Sequence, residues 1–279
     1  GDHLIVIVKD SLCPFYLTFR KSYYTQLFDQ TARAWCQQDA GIHAWKGLSL
    51  WAMDGTTFRT PDSADNRAHF GAQAYASGKV ASYPQVRAVS ITAIPTHLVS
   101  DIAFGTYAQN EMLYAKTLVG RIADHSLTVF DRGFLCAEIL LGLTQGGQER
   151  HYLIPAKSNT KWEVLSGSAD DCLVRMRVSP QARAKAPELP EHWTARAVRM
   201  VSANGKQRVL LTSLLDRRRF KAEALAECYR RRWEIETSYL EIKSTILGGR
   251  VLRAATPAGI TQEVYALLIT YQALRTAIA

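Results

Sequence analysis

Between residues 48 and 157 the hydrophobic period switches in a fixed order, and that order limits the folds open to the chain. LSLWAMD, YPQVRAVSITAI and HLVSDIAFG read as three consecutive antiparallel strands, with Pro95 and Thr96 at the second turn. NEMLYAKTLVGRIAD then takes helical spacing, SLTVFD returns to a strand, CAEILLGLTQGG is a helix closed by Gly146 and Gly147, and RHYLIPAK is a fifth strand. A β-β-β-α-β-α-β order predicts an α/β domain, a mixed sheet with flanking helices. Upstream, YYTQLFDQTARAWCQQ predicts an amphipathic helix with Tyr24, Leu27, Phe28 and Ala32 on one face. Downstream, WEVL, CLVRMRVS, TARAVRMVS and QRVLLTSL are short alternating runs parted by SGSADD, PELPEHW and ANGK, so the stretch from Trp162 to Asp216 predicts an all-β insertion. Residues 1–45 then form a helical lead-in, 46–160 the first part of the core, 161–216 the insertion, and 217–279 the helices that complete the core. The final helix reaches the last residue without a C-cap, from which we expect a C-terminus that has been cut short; the lead-in is expected to be truncated as well.

Two acids stand where strand-like runs give out. Asp54 precedes Gly55, Thr56 and Thr57, and Asp131 enters a turn marked by Gly133. A carboxylate at the exit of a buried strand is held rigidly, as metal ligation requires. Asp-Gly is also a common turn dipeptide, so neither site means much alone. Thr56 and Thr57 are either supporting donors to Asp54 or ordinary β formers.

A third acid lies in YRRRWEIETSYLEIK, where Tyr229, Arg232, Glu236 and Lys243 follow one another at intervals of three, four and seven residues. At about 100° per residue, a helix places all four side chains within a sector of roughly 60°. Such a stripe suits a phosphate and a hard divalent cation side by side: the carboxylate ligates the cation while Arg and Lys grip phosphodiester oxygens. A solvated helix face carrying intrahelical charge pairs would show the same spacing.

Taken together, DGTT, VFDRGF and the Tyr-x2-Arg-x3-Glu-x6-Lys spacing resemble the catalytic region of the IS4-family DDE transposases, over roughly Phe28 to Leu274. FRTPDSADNRAHFG, YASGKVASYPQVR, HYLIPAKSN and RVLLTSL carry further likeness, whereas residues 1 to about 25 fit poorly. The resemblance implies a ribonuclease H-like core, with Asp54 on the first strand, Asp131 at the end of the fourth, and the β insertion as a platform over the active site. It also implies that Asp54, Asp131 and Glu236 are catalytic and hold two Mg²⁺ ions, with Mn²⁺ as a substitute. Tyr229, Arg232 and Lys243 would position the phosphate near the cleaved end, and Arg208 and Arg230 would touch DNA. Trp233 would either stack on a distorted terminal base or pack under the insertion, and packing is the favoured expectation. Some hairpin-forming relatives place a Trp just before a Leu-Leu-Thr strand to receive a flipped base; Val209 and Arg208 stand there instead, leaving Trp162 and Trp193 as weaker candidates.

The implied activity is DNA strand cleavage at transposon ends followed by strand transfer. Its partners are duplex DNA with terminal inverted repeats, target DNA, and a second copy in a synaptic homodimer. Two other readings stay open at this point. One is a DNA-binding remnant that has lost end recognition; the other is a glycosidase pairing Asp54 or Asp131 with Glu236, which would need no metal.

Composition agrees with a polyanionic partner. The formal net charge is +9, and Arg217 to Arg232 hold seven Lys or Arg against two Glu, a cluster expected to lie along a nucleic-acid backbone. Lys79 and Arg87 are further candidates for DNA contact. Five Cys, at positions 13, 36, 136, 172 and 228, form no CxxC pair and predict reduced, core-filling thiols. His69, His97 and His151 show no metal spacing and are expected to satisfy local hydrogen bonds. No apolar run reaches the roughly 18–20 residues of a membrane helix, and GDHLIVIVKD is too short for a secretory signal, so the expected location is the bacterial cytoplasm, with the nucleoid.

Overall fold

The computed structural model describes residues 14–39, 44–76, 78–201 and 205–278. Its centre is β1 (Ser49–Arg59), whose residues are buried from both faces of a sheet. Leu50, Ala52 and Phe58 face one apolar cluster, and Trp51 and Met53 face the other. Burial on both sides explains why LSLWAM is continuously apolar rather than alternating. On one side β1 pairs antiparallel with β2 (Gln85–Ala93), which pairs antiparallel with β3 (Val99–Thr106). On its other side lie β4 (Ser126–Phe130) and then β5 (Arg150–Pro155), both parallel.

Helices α3 (Glu111–Val119) and α4 (Ala137–Gln145) cover one face, bringing Tyr114, Leu118, Ile139 and Leu140 onto Trp51 and Met53. The opposite face receives α1 (Pro14–Asp39), in which Phe28 and Ala32 are buried as the amphipathic pattern predicts. It also receives the C-terminal helices given below, through Tyr239, Val264 and Leu268. A short helix, α2 (Ala64–Phe70), was not anticipated from FRTPDSADNRAHFG. Ser63 starts it by accepting the Asn66 N–H, and Gly71, at φ 71°, ends it.

The segment 161–216 differs from expectation in two ways. It holds β6 (Glu163–Gly167), β7 (Asp171–Arg177), β8 (His192–Val201) and β9 (Gln207–Thr212), but also a helix, α5 (Pro180–Lys185), so it is not all β. Ser179 caps that helix and Pro180 supplies its preset φ, a start signal hidden by the helix's brevity. The four strands also do not form a second sheet. β9 pairs with β5 through Leu153–Thr212 and Pro155–Leu210, giving one nine-stranded sheet in the order β3-β2-β1-β4-β5-β9-β8-β7-β6.

The signature segment is likewise not one straight helix. It runs through α6 (Ala222–Arg230), α7 (Trp233–Leu240) and a π-helical turn, Glu241–Ile246, before α8 (Pro257–Ile278). Between α6 and α7 the chain tightens into i to i−3 bonds, with the Arg232 and Ile235 N–H groups donating to Tyr229 and Arg232 carbonyls. A tightened turn over-rotates a helix and a π turn under-rotates it, so the stripe is not carried by one regular helix.

Candidate active site

Parallel pairing of β1 with β4 puts Met53 opposite Phe130, so Asp54 and Asp131 are the next residues on two adjacent strands. Asp54 does not end its strand, contrary to expectation. It pairs onward with Ser90 of β2, and β1 continues to Arg59. That longer run fixes the Asp54 backbone, while the Gly55 N–H holds its Oδ1 at 2.8 Å. Asp131 leaves β4 and caps a single 3-10 turn, accepting the Gly133 N–H at 3.2 Å.

Glu236 reaches the site from α7 through Arg232. The Arg232 guanidinium lies 3.3 Å from Asp54 Oδ2 and 2.7 Å from Glu236 Oε1. Its Nε is buried and makes no hydrogen bond among the described residues. Burial is the main cause that raises Asp54 to about 6; the Gly55 N–H and Arg232 oppose it, and the negative charges of Asp131 and Glu236 reinforce it. The hydrogen bonds to Asp54 come from Gly55, Arg232 and the Tyr239 hydroxyl rather than from Thr56 or Thr57.

Tyr229 is buried beside Arg232, Asp131 and Arg208, and burial raises its phenol above the usual range. Lys243 sits 5.7 Å from the centre of the Phe58 ring and 6.0 Å from that of Tyr239, and burial lowers its pKa. Trp233 is 65% exposed, which overturns the expectation that it packs under the insertion. Its ring is 5.6 Å from the Arg232 guanidinium.

The basic run from Arg217 to Arg232 is largely used up inside the fold. Arg217 pairs with Asp171, Arg219 binds the Lys46 carbonyl, Arg230 pairs with Glu227, Arg231 with Glu234, and Arg232 with the site carboxylates. A different basic surface replaces it. A cleft of about 620 Å³ opens beside Asp131, lined by Arg132, Lys157, Trp162, Arg199, Lys206 and Arg208, with no acidic residue in its wall. These cations are spread over 77 residues, from 132 to 208, so no local charge run announces them. Arg199 spends part of its charge on Asp170 at 3.2 Å.

Other candidates are structural. Trp193 packs against two apolar clusters, Arg87 lies 4.3 Å over the Tyr107 ring, and His151 hydrogen-bonds Ser213 at 3.1 Å. His97 sits 3.8 Å from both Glu234 and Glu241, behind the signature helix. Cys136, Cys172 and Cys228 are free thiols, and burial pushes Cys228 up to about 12. No helix among the described residues is long and apolar enough to cross a membrane.

Asp54, Asp131 and Glu236 offer hard oxygen donors without His or thiolate, a donor set that fits Mg²⁺ or Mn²⁺. Among the described residues no three such side chains converge tightly enough to hold an ion as they stand, and Arg232 bridges two of the three. The charges of Asp131 and Glu236 both act on the desolvated Asp54. The unbalanced charge also has a measurable cost. A raised folded-state pKa means that Asp54 favours folding below the unfolded value near 3.8 and loses that contribution as pH rises through about 6. Asp54→Asn is therefore expected to stabilise the metal-free chain at pH 7.5 by about 1–3 kcal/mol, a gain that shrinks toward pH 4. Urea unfolding at the two pH values, in EDTA, checks this.

Comparison with known proteins assigns the family. Residues 45–273 match the family described as the transposase DDE domain, and the chain belongs to it. Within that family it is of the IS4 type. InsG, the transposase of insertion sequence element IS4 of Escherichia coli K12, is 37% identical over 252 residues, covering 90% of this chain and 56% of InsG. InsZ of the same strain is 35% identical over 144 residues, 50% of this chain and 46% of InsZ. The chain thus spans about half the length of these relatives. Among solved structures, the cryo-EM structure of the piggyBac transposase synaptic complex with hairpin DNA has a TM-score of 0.44 and 9% identity, covering 82% of this chain and 48% of that one.

Proposed function

We propose that the chain is the catalytic part of a transposase that cuts DNA strands at the ends of its element and joins the freed ends to target DNA. The observation that supports this best is the placement of Asp54 and Asp131 at adjacent strand positions, with Glu236 brought to Asp54 through Arg232. In this reading residues 46–160 and 217–279 form a ribonuclease H-like core, and 161–216 extend it along the DNA.

Asp54, Asp131 and Glu236 hold the divalent ions, Mg²⁺ or Mn²⁺. The chemistry these supply is activation of a water or a 3′-hydroxyl and stabilisation of the leaving 3′-oxygen in an in-line substitution at phosphorus. Hydrolysis and strand transfer then differ only in the nucleophile, and no covalent enzyme intermediate is needed. Once its two carboxylates are engaged elsewhere, Arg232 can offer the phosphate its fork of donors, including the unpartnered Nε. Tyr229 donates a hydrogen bond and Lys243 a cation to the same phosphate. Trp233, exposed beside Arg232, is placed to stack on a base at the cut end, and Arg230 lies one helical turn away from it. Cutting and joining two ends calls for two copies of the chain, a homodimer acting on bacterial DNA in the cytoplasm.

The duplex leaves the carboxylates along the cleft of Arg132, Lys157 and Arg208. Lys157→Ala combined with Arg208→Ala is expected to weaken binding of all sequences alike and to reduce the slope of log affinity against log salt by about two, one for each lost phosphate contact. An unchanged slope in a salt titration would place the backbone elsewhere.

The decisive test is nicking of a duplex that carries the element's own terminal repeat. Cutting at the repeat boundary with Mg²⁺, and none with EDTA, is the expected result. Cutting that persists in EDTA would remove the metal mechanism.

A further inference from the structure

Tyr239 lies three residues past Glu236 and is absent from the stripe that the signature defines, yet its hydroxyl donates to the Asp54 carbonyl at 2.8 Å. A carbonyl only accepts, so the single phenolic proton is committed there. Ser90 Oγ, 2.7 Å from the same hydroxyl, must therefore be the donor to it. Thr92, 3.2 Å from Ser90, is then the donor to Ser90. Thr92, Ser90, Tyr239 and Asp54 form a chain of hydrogen bonds with a fixed direction. It is also dry, since Thr92 and Ser90 are each 1% exposed and Tyr239 8%. The chain ends on β1 at Asp54, immediately past Met53, where pairing with β4 has stopped. The Tyr239 ring is at the same time one wall around Lys243.

We propose that Tyr239 is a positioning residue for the metal-binding carboxylates. It joins the backbone of Asp54 to the helical turn that carries Glu236, and so sets the separation of the two carboxylates. Arg232 also links them, but through flexible side chains that must let go when an ion or a phosphate arrives. The Tyr239 link is made to main chain and remains. This inference rests on the reading of Asp54, Asp131 and Glu236 as metal ligands.

Tyr239→Phe removes the hydroxyl and keeps the ring against Phe58 and Lys243. Mn²⁺ binding to the metal-free chain, followed by electron paramagnetic resonance without DNA, is expected to weaken about tenfold, the usual size for loss of a supporting hydrogen bond behind a ligand. The Mg²⁺ concentration that half-saturates cleavage should rise by a similar factor, while the KM for DNA and the rate at saturating Mg²⁺ stay within about threefold. Ser90→Ala, on β2 opposite Asp54, removes no proposed ligand and should reproduce part of the shift. Adding it to Tyr239→Phe should change little more, because the two act through one chain of bonds. A merely structural role would lower the unfolding temperature and leave the Mn²⁺ affinity where it was, and that result would overturn the proposal. If the wild-type chain bound no Mn²⁺, or Asp54→Asn bound it equally well, the metal reading itself would fall and this inference with it.

Discussion

Glu236→Gln is expected to reduce metal-dependent strand cleavage by about a thousandfold or more while changing DNA affinity by less than about twofold. The substitution keeps the shape of the side chain and an oxygen that can still accept from Arg232, whose second partner, Asp54, is unaffected. What disappears is one negative charge among three. Removing one preorganised electrostatic group from a catalytic site typically lowers kcat by about 10²–10³, and a ligand that also holds an ion sits at or beyond the upper end. DNA affinity should persist because the cations proposed to face the backbone, Arg132, Lys157 and Arg208, line a cleft in which Glu236 takes no part. Asp131→Asn should behave in the same way. Combining the two should cost little more than either, since ligands of one centre act as a unit. Cleavage by Glu236→Gln at near wild-type rate would remove Glu236 from the catalytic set. Parallel loss of cleavage and DNA binding would mean that the helix, rather than the carboxylate, had been damaged.

The expected result depends on side chains that were legible to different degrees. The five strands from β1 to β5 could be read as short apolar runs or alternations bounded by turn residues, and the helices α3 and α4 by their 3.6-residue period. Asp54 and Asp131 each follow such a strand-like run, but turn chemistry left either one ambiguous on its own, and only the third acid of the helical stripe gave the pair a meaning. The point at which Asp54 sits within β1 was not legible, because DGTT carries turn chemistry and only pairing with β2 extends the strand through it. The break between α6 and α7 was also hidden. Nothing in YRRRWEIETSYLEIK stops a helix, and the tightening appears only where Arg232 turns toward Asp54.

Charge misled in a more instructive way. A run such as RRRFKAEALAECYRRRW looks like a phosphate-binding surface, but a basic side chain that has a partner within the fold must give that partner up before it can hold DNA. Five of its seven cations, Arg217, Arg219, Arg230, Arg231 and Arg232, are paired or bonded within the fold. The available basic wall is instead assembled across the sheet from Arg132 after β4, Lys157 after β5 and Arg208 on β9. Tyr239 is not legible from sequence, because an aromatic residue on a core-facing helix looks like ordinary packing. Its i+3 spacing from Glu236 already put it near the stripe.

Arg196→Met is expected to destabilise the chain by about 3–5 kcal/mol, the usual cost of leaving one partner of a buried ion pair alone. Arg196 is a fully buried cation on β8, with Nε and Nη2 bound to the two oxygens of Asp171 at 2.8 and 2.7 Å. Its remaining Nη1 donates to the Phe220 carbonyl at 2.6 Å. The substitution keeps much of the volume but strips Asp171 of its bidentate partner and leaves the Phe220 carbonyl without its donor. Arg217, 3.4 Å from Asp171, repays part of the loss and sets the lower bound. Asp171→Leu on its own should be at least as harmful, since it strands the guanidinium inside the sheet. The double variant should recover a good part of the sum, because an apolar pair needs neither solvent nor partner. Urea unfolding midpoints of the three variants test this, and a loss below about 1 kcal/mol for Arg196→Met would mean that water replaces the guanidinium. The consequence reaches past stability. Phe220 lies just before α6, so the bonds of Arg196 fix the extended half of the sheet to the segment that delivers Tyr229, Arg232 and Glu236. At a temperature where Arg196→Met is still folded, its cleavage rate should therefore fall more than its metal affinity, because Asp54 and Tyr239 are held from the other side of the sheet by β2.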